Sequence, residues 1–476
     1  MRAIRIGALL ALALVLGLAP APSFAQGAVI NSVLLNAARR VTLPGGLGWD
    51  SARFPINAFK IGATYRVLND PKSYVPCPLT ATATNYYADV ATGNNTRTGL
   101  SPAASVRDIS KAVTLGDATG ACFRVNINAS GLYTLTNGFM SGAQNIFPTQ
   151  DVAFVGYGGT PVICVCSNLT WTDDGSSTHT YQATLSNPSR VVELDVLDAQ
   201  GVPLDDTKLT TKAAVEGASG GAWALVTGVL YEHRSDNAAV TNTNTRAFLT
   251  AKNLFLDATT KSVYIENLDL QGGEVASLQA TGIAARNIAC LNATFEMSGS
   301  TVTGGLDVAV NGLNGLFSAF NCVARGSAND GFDFHLNNGG TGPTYILTVG
   351  VHGYDNGRFT WVSNNCWTAH DAVIGVNFNS ECDHDYGPEV HNIGTSRFAN
   401  YGMFAHDSHG DLGMGGSYPS TGVKTSDSAF EWHFDLTLSA NSTAISALNT
   451  STICTRNLKS DGGTQSKDAG ATIGTC

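Results

Sequence analysis

Short runs of Val, Ile, Leu, Phe and Thr recur along most of the chain, each broken after a few residues by Asn, Asp or Gly. Val152-Ala153-Phe154-Val155-Gly156, Ser262-Val263-Tyr264-Ile265-Glu266-Asn267-Leu268, Asn287-Ile288-Ala289-Cys290 and Tyr345-Ile346-Leu347-Thr348-Val349 are examples. Runs of this length between turn residues predict strands, and the periodicity of amphipathic helices is scarce. Two stacked sandwiches or one long solenoid would satisfy such an all-β pattern. Internal spacing favours the solenoid. Four turns are closed by glycine: Asn329-Asp330-Gly331, Asp355-Asn356-Gly357, Asp385-Tyr386-Gly387 and Asn400-Tyr401-Gly402. The first intervals, 26 and 30 residues, match one solenoid coil, and the last, 15, breaks the period. Stacked coils place like positions above one another on a parallel sheet and share one core, because a single coil cannot bury its own apolar face.

Composition narrows the class of protein. Only 13% of residues are charged, with 52 glycines, against roughly 25% charged in an ordinary soluble domain. An apolar run from Ile6 to Leu18, after Arg2 and Arg5 and before Ser23-Phe24-Ala25, reads as a secretory signal over residues 1–25. No later run is long enough to span a bilayer, so a secreted or periplasmic protein is predicted. Without Arg2 and Arg5, 25 basic residues face 37 acidic ones, which argues against nucleic acid as a partner. Ten cysteines in an exported chain predict disulfides. Cys164 and Cys166 would share a strand face and are expected to pair elsewhere rather than with each other. Cys366 with Cys382 would brace two segments, and Cys454 with Cys476 would staple a tail.

The N-terminal half adds a resemblance. Tyr87-Ala88-Asp89-Val90-Ala91-Thr92-Gly93-Asn94-Asn95, Gly99-Leu100-Ser101-Pro102-Ala103 and Ile109-Ser110-Lys111-Ala112-Val113 resemble the opening of right-handed parallel β-helix proteins of the pectate-lyase-like superfamily. There a strand, a turn, a Gly-x-Ser-Pro-Ala segment and a short helix cap the solenoid. The resemblance implies a parallel β-helix and leaves the reaction open, since lyases, hydrolases, epimerases and phage tail proteins share it. The expected organisation is an N-terminal extension over 26–84, the β-helix over 85–438 and a tail over 439–476. Residues 171–250, turn-rich and less periodic, read as an insertion on the helix.

Eight of the ten histidines (His335, His352, His370, His384, His391, His406, His409 and His433) fall between residues 335 and 433. From 330 to 435 there are thirteen acids and only three basic residues, Arg358, Arg397 and Lys424. Such clustering of proton-exchanging groups suggests a site. Four positions after each turn glycine stand His335, Trp361, His391 and His406, and two positions after it Asp333, Phe359, Glu389 and Phe404. If the coils stack in that register, these residues form one outward ladder, because unpaired charge is too costly for a dry core. Asp330, Asp333, His335, His370, Asp371, His406 and Asp407 are the candidate acids and bases. Arg358, Phe359, Trp361, Glu389, His391, Arg397 and His409 are the candidate substrate contacts. Glu381, Asp383 and Asp385, oxygen donors at alternate positions, are candidate Ca²⁺ ligands or simple turn caps. Polar ladders with no chemistry, and aromatics covering a core edge, are the alternatives.

Two further segments resemble enzyme motifs. Ser327-Ala328-Asn329-Asp330-Gly331-Phe332-Asp333 is similar to the Asn-Thr-Asp-Gly-Phe-Asp segment of polygalacturonase-type hydrolases, which implies a catalytic carboxylate at Asp330. Tyr401-Gly402-Met403-Phe404-Ala405-His406-Asp407 is similar to the Tyr-Gly-x-Asp-Pro-His-Asp segment of alginate C5-epimerases, which implies a base at His406. The expectation is an exported enzyme cleaving glycosidic bonds of a polysaccharide by carboxylate and histidine acid–base chemistry, with hydrolysis favoured because the region is acidic. A lyase or epimerase acting on uronates with a His base and Ca²⁺ is the second reading, and a non-catalytic glycan-binding solenoid the third.

Overall fold

The computed structural model describes residues 39–139, 148–176, 178–256, 261–281, 286–299, 305–336, 342–358, 364–409 and 419–476. The expected signal at 1–25 and the expected contacts Phe359 and Trp361 lie outside the described residues. The fold is all-β, a right-handed parallel β-helix. Among the described residues three long sheets run its length: one of twelve strands from Thr84–Ala88 to Thr472–Thr475, one of ten and one of nine. Their pairings are parallel throughout, and most coils repeat at a fixed register. Thr348, for example, stands beside Asn377 in the next coil and bonds to it.

One coil shows how the sequence makes the turns. Strand Asn287–Leu291 of the twelve-stranded sheet ends at Asn292, strand Thr294–Glu296 joins the ten-stranded sheet, and Leu306–Asn311 joins the nine-stranded one. Asn292 has φ 50°, and Asn267, Asn321, Asn379, Asp435 and Asn457 hold the same left-handed corner in other coils at φ 50–59°. Asparagine and aspartate tolerate that conformation where bulkier residues do not. Gly402 occupies this corner too, at φ +68°. Its turn therefore belongs to a different corner from those of Gly331 and Gly387, which is why the 15-residue interval broke the period.

Alternate strand residues fill a dry interior: Ile265, Cys290, Phe295, Phe317, Ala319, Phe332, Phe334 and Trp367 are all buried in one cluster. Toward the C-terminal end a polar seam enters this core. Thr348, Asn377, Asn400, Glu431 and His433 occupy inward positions on the twelve-stranded sheet, every one fully or almost fully buried. Asn392 and Asn400 donate to Glu431 Oε1 and Thr425 donates to Oε2, while His433 Nε2 lies 3.5 Å from Oε1. Buried charge is tolerated where donors surround it in this way.

The cap follows the resemblance: helix Ile109–Asp117 covers the first coil behind strand Thr84–Ala88. The extension lays strands Ala58–Ile61 and Thr64–Val67 and the side chains of Leu47, Phe54, Tyr65 and Tyr74 across the outer face of the twelve-stranded sheet, against Leu316, Tyr345, Leu347, Phe378 and Tyr401. Lys60 Nζ (2.5 Å) and the Tyr65 hydroxyl both bond to Asp435, which fastens the hairpin. Residues 172–249 form an insertion of two small sheets, one of five strands and one of three. Residues 439–476, expected as a stapled tail, instead carry the last strands of all three sheets and are further coils.

Disulfides join Cys77–Cys122, Cys164–Cys166, Cys366–Cys382 and Cys454–Cys476. The expectation that Cys164 and Cys166 pair elsewhere is corrected. Strand Val162–Cys164 ends at the first of them, so the extended spacing that would hold two residues of one face apart stops, their Cα atoms close to 5.2 Å, and both side chains join a small cluster with Val192, Phe248 and Met297. Cys290 and Cys322 are buried free thiols. Four disulfides fit an extracellular or periplasmic protein, and among the described residues no helix is long and apolar enough to cross a membrane.

Candidate functional site

The clustered histidines separate onto two outer faces and the core. His335, His370 and His391 belong to the nine-stranded sheet, His352, His384, His406 and His409 to the ten-stranded sheet and its following corner, and His433 to the interior seam. The single ladder expected through Asp333, His335, His391 and His406 does not form. Phe332 and Val390 both pair with Trp367, so Glu389, not Gly387, is the counterpart of Gly331. Counting from the glycines therefore misplaces His391 by two residues. Asp333 is followed in register by Thr368, His391 and Lys424, and His406 lies on another sheet beside Asp383.

What the structure does bring together is Asp330, Asp333, His335, His370 and Asp371. Phe332–His335 alternates so that Phe332 and Phe334 enter the core while Asp333 and His335 face outward. Phe334 pairs with Ala369, which puts His370 beside His335, and the two rings stack with centroids 4.0 Å apart and planes 7° from parallel. His335 Nε2 is 3.0 Å from Asp333 Oδ2, and its Nδ1 is 3.7 Å from Asp371 Oδ2. His370 Nε2 is 4.0 Å from Asp333 Oδ1, an oxygen that has no hydrogen-bond partner. Beneath them Asp330 Oδ1 accepts from the backbone N–H of Asn365 at 2.6 Å and from its side-chain amide at 3.2 Å.

Burial, and then the charge of Asp333, push the Asp330 carboxyl well above the usual carboxylate range. Burial works to lower His335, but its bond to Asp333 and the charges of Asp333, Asp371 and Asp330 outweigh that and raise it. His370 is lowered by burial and by His335, and His391 well lowered by burial, Lys424 and His370. One small area thus combines a carboxyl biased toward its neutral form, a histidine biased toward its charged form and two imidazoles biased toward their neutral form. Such a set can give one proton and take another at the same pH.

The ten-stranded face holds a second cluster. His352 Nε2 (2.5 Å) and His384 Nδ1 (2.6 Å) both meet Asp383, and His406 lies between Glu381 (3.1 Å) and Asp407 (2.6 Å). His409 packs near His384 and Tyr386. Asp383 is burdened by burial, yet the bonds from His352 and His384 lower it overall. His406 is opposed by burial and raised overall by Asp407 and Glu381.

The three expected Ca²⁺ ligands do not converge. Glu381 and Asp383 face outward, whereas His384 takes φ 59° after the strand and turns Asp385 into the buried corner. There Asp385 Oδ1 accepts the Asn356 N–H at 2.7 Å, as Asn356 Oδ1 accepts that of Ser327 at 3.2 Å one coil earlier, and Glu389 sits against it. Asp385 and Glu389 are therefore rungs of a corner ladder rather than surface groups. Arg358 is also engaged: its guanidinium meets Asp355, Asp198 and Asp205 and ties the insertion to the coil. Arg397 lies on the twelve-stranded sheet and donates to the Gly46 carbonyl of the extension. For a metal, the ligand atoms of Asp333, His335 and His370 lie within 4.8 Å of one another, a mixed nitrogen and oxygen set suited to a zinc-like ion rather than to calcium.

Sequence reasoning did not single out His352, Asn365 or Thr368 for these sites. A usable signal existed in the left-handed corner residues. Two positions after Asn267, Asn292, Asn321, Gly350, Asn379 and Gly402 stand Asp269, Thr294, Val323, His352, Glu381 and Phe404, which form one continuous ladder on the ten-stranded sheet.

No protein-family model matches the chain, and no curated protein matches it. Among solved structures, one described as a glycoside hydrolase aligns at 10% identity over 82% of this chain and 96% of its own, with a TM-score of 0.50. A pectate lyase, Pel9A, aligns at 11% identity over 84% of this chain and 81% of its own, TM-score 0.40. A rhamnogalacturonan lyase aligns at 9% identity over 78% and 74%, TM-score 0.31. At these identities the likeness is one of architecture alone, the right-handed parallel β-helix.

Proposed function

We propose that the chain is an exported enzyme that hydrolyses glycosidic bonds of a polysaccharide on the outer face of the nine-stranded sheet. The observation that carries this reading is the shared carboxylate of Asp333, which faces Nε2 of both stacked imidazoles, at 3.0 Å from His335 and 4.0 Å from His370. His335, whose charged form its acidic neighbours favour, donates a proton to the leaving glycosidic oxygen from the ring nitrogen not held by Asp333. Neutral His370 accepts a proton from the water that attacks the anomeric carbon, so one proton is given and one taken. Asp333 holds His335 at 3.0 Å, His370 is placed by its stacking on that ring, and the buried Asp330 holds Asn365 and the base of the site in place. Asp371 Oδ2 stands beside the donating nitrogen and stabilises the positive charge of His335.

A uronate lyase or epimerase is the second reading, supported by the neighbours His391 and Lys424, which set a neutral base next to a cation in one register. The experiment is to incubate the purified protein with a panel of neutral and uronate polysaccharides. New reducing ends without ultraviolet absorbance support hydrolysis, and absorbance of a C4=C5 product supports elimination. Binding without either product overturns both.

A further inference from the structure

The insertion contains a cluster that the proposed chemistry does not use. Glu193 lies on strand Pro188–Leu197 of the three-stranded sheet, Asp206 directly follows strand Pro203–Asp205 of the same sheet, and Glu232 lies on strand Val229–His233 of the five-stranded sheet. Carboxylate oxygens of the three lie within 4.8 Å of one another, and all three residues are buried, with Glu193 and Glu232 at 0% exposure. Like charges this close in a dry site repel strongly.

The local donors do not resolve that repulsion. Glu193 accepts from the Ser235 N–H at 2.5 Å and the Ser235 hydroxyl at 2.8 Å. Arg234 comes within 3.6 Å of Glu193, but its guanidinium is held by Asp195 at 2.6 Å and Asp236 at 2.9 Å. Both oxygens of Glu232, and Oδ2 of Asp206, are buried and take no donor from outside the cluster, where Asp206 and Glu232 meet carboxyl to carboxyl. Glu232 is thus wholly buried and aimed at two further carboxyls, and the one guanidinium nearby is bonded to other acids.

We propose that Glu193, Asp206 and Glu232 bind a hard divalent cation, Ca²⁺ by ligand class, that locks the two small sheets of the insertion together. Three carboxylates binding through one or two oxygens each supply three to six oxygen ligands, and no nitrogen or sulfur donor belongs to the set. The cation fixes Asp206, and hence its neighbour Asp205, whose oxygens grip Arg190 at 2.5 and 2.7 Å and Arg358 at 3.2 Å. Occupancy thereby stiffens the seat of the insertion on the solenoid.

The test compares the full chain with Glu232→Gln and Asp206→Asn after chelator treatment and dialysis into Ca²⁺ or Mg²⁺. The wild type is expected to gain thermal stability with Ca²⁺ and to hold one more equivalent of Ca²⁺ than either variant, with affinity at the site falling at least tenfold in each. Should the variants fail to fold, Tb³⁺ in the wild type serves instead. Trp223 pairs directly with Glu232, so Tb³⁺ bound there is sensitised through the indole and displaced by Ca²⁺. Absence of a sensitised signal, or variants that retain the wild-type Ca²⁺ equivalent and stabilisation, would overturn the proposal. Stabilisation of Glu232→Gln over wild type in both buffers, with no Ca²⁺ bound by either, would show that protons neutralise the cluster instead. A response to Mg²⁺ alone would overturn the calcium assignment.

Discussion

The rings of His335 and His370 lie face to face with 4.0 Å between centroids, although they come from different coils. Each turns Nε2 toward a different oxygen of Asp333. Stacking imidazoles this closely favours a single charge between them, and the Asp333 bond assigns that charge to His335. Burial lowers His370, and His335 beside it adds to that, whereas the Asp333 bond with the charges of Asp333, Asp371 and Asp330 raises His335 against its own burial.

Replacing Asp333 by Asn removes the bond and charge that raise His335. An activity that needs the His335 imidazolium is lost as pH rises through the raised value, so the alkaline limb of the rate profile should move to lower pH. Turnover at neutral pH should fall by about 10²- to 10⁴-fold. A kcat–pH profile of Asp333→Asn against wild type checks this, and an unmoved limb would reject His335 as the donor.

His335→Ala and His406→Ala discriminate between the two outer faces. The resemblance to epimerases implied that His406 is essential, whereas the structure puts it on the ten-stranded sheet, apart from Asp333. Under the proposed function His335→Ala loses at least about 10²-fold in kcat and His406→Ala stays within a fewfold of wild type. The reverse ranking, measured on the same glycan, would move the site to the ten-stranded face.

Glu431→Ala strips the interior seam of its shared acceptor and leaves Asn392, Asn400 and Thr425 without their bonds. Unsatisfied buried donors cost about 1–3 kcal/mol each before relaxation. The variant should lose about 3 kcal/mol of stability or more in chemical denaturation. Glu431→Gln, which keeps an acceptor, should lose less.

Asp435 fastens the extension. Burial opposes its ionisation, but bonds from Lys60, Tyr65 and Asn457 lower its pKa overall. A carboxyl depressed in the folded state stabilises it above the unfolded value, near 3.9, and loses that contribution as pH falls through the folded value. Asp435→Asn should melt on the order of 2 °C lower at neutral pH, with the gap closing in acid. Scanning calorimetry at pH 7 and pH 3 checks it.

The strands, the turns and the coil repeat were legible because each depends on local chemistry. Apolar runs of four to six residues, and asparagines able to adopt a left-handed corner, mark the coil wherever they occur. The cap was legible for the same reason, its residues being contiguous from Tyr87 to Val113. Asp330, Asp333 and His335 stood out because they share one strand and its turn.

Register was not legible. The corners between the ten- and nine-stranded sheets differ in length from coil to coil, from Arg325 to Phe332 in one and from Tyr354 to Trp367 in another. Counting along the sequence therefore could not tell that His370 stacks on His335 or that His406 leaves the group. Cys164 and Cys166 misled similarly, since strand alternation ends where the strand does. The sequence by itself determined that the chain coils, and it concentrated the imidazoles and carboxyls in the coils after residue 330. Only the tertiary structure decided which of them meet, because side chains from different coils are brought together by the hydrogen-bonded alignment of strands, and that alignment depends on loops whose lengths carry no periodic signal.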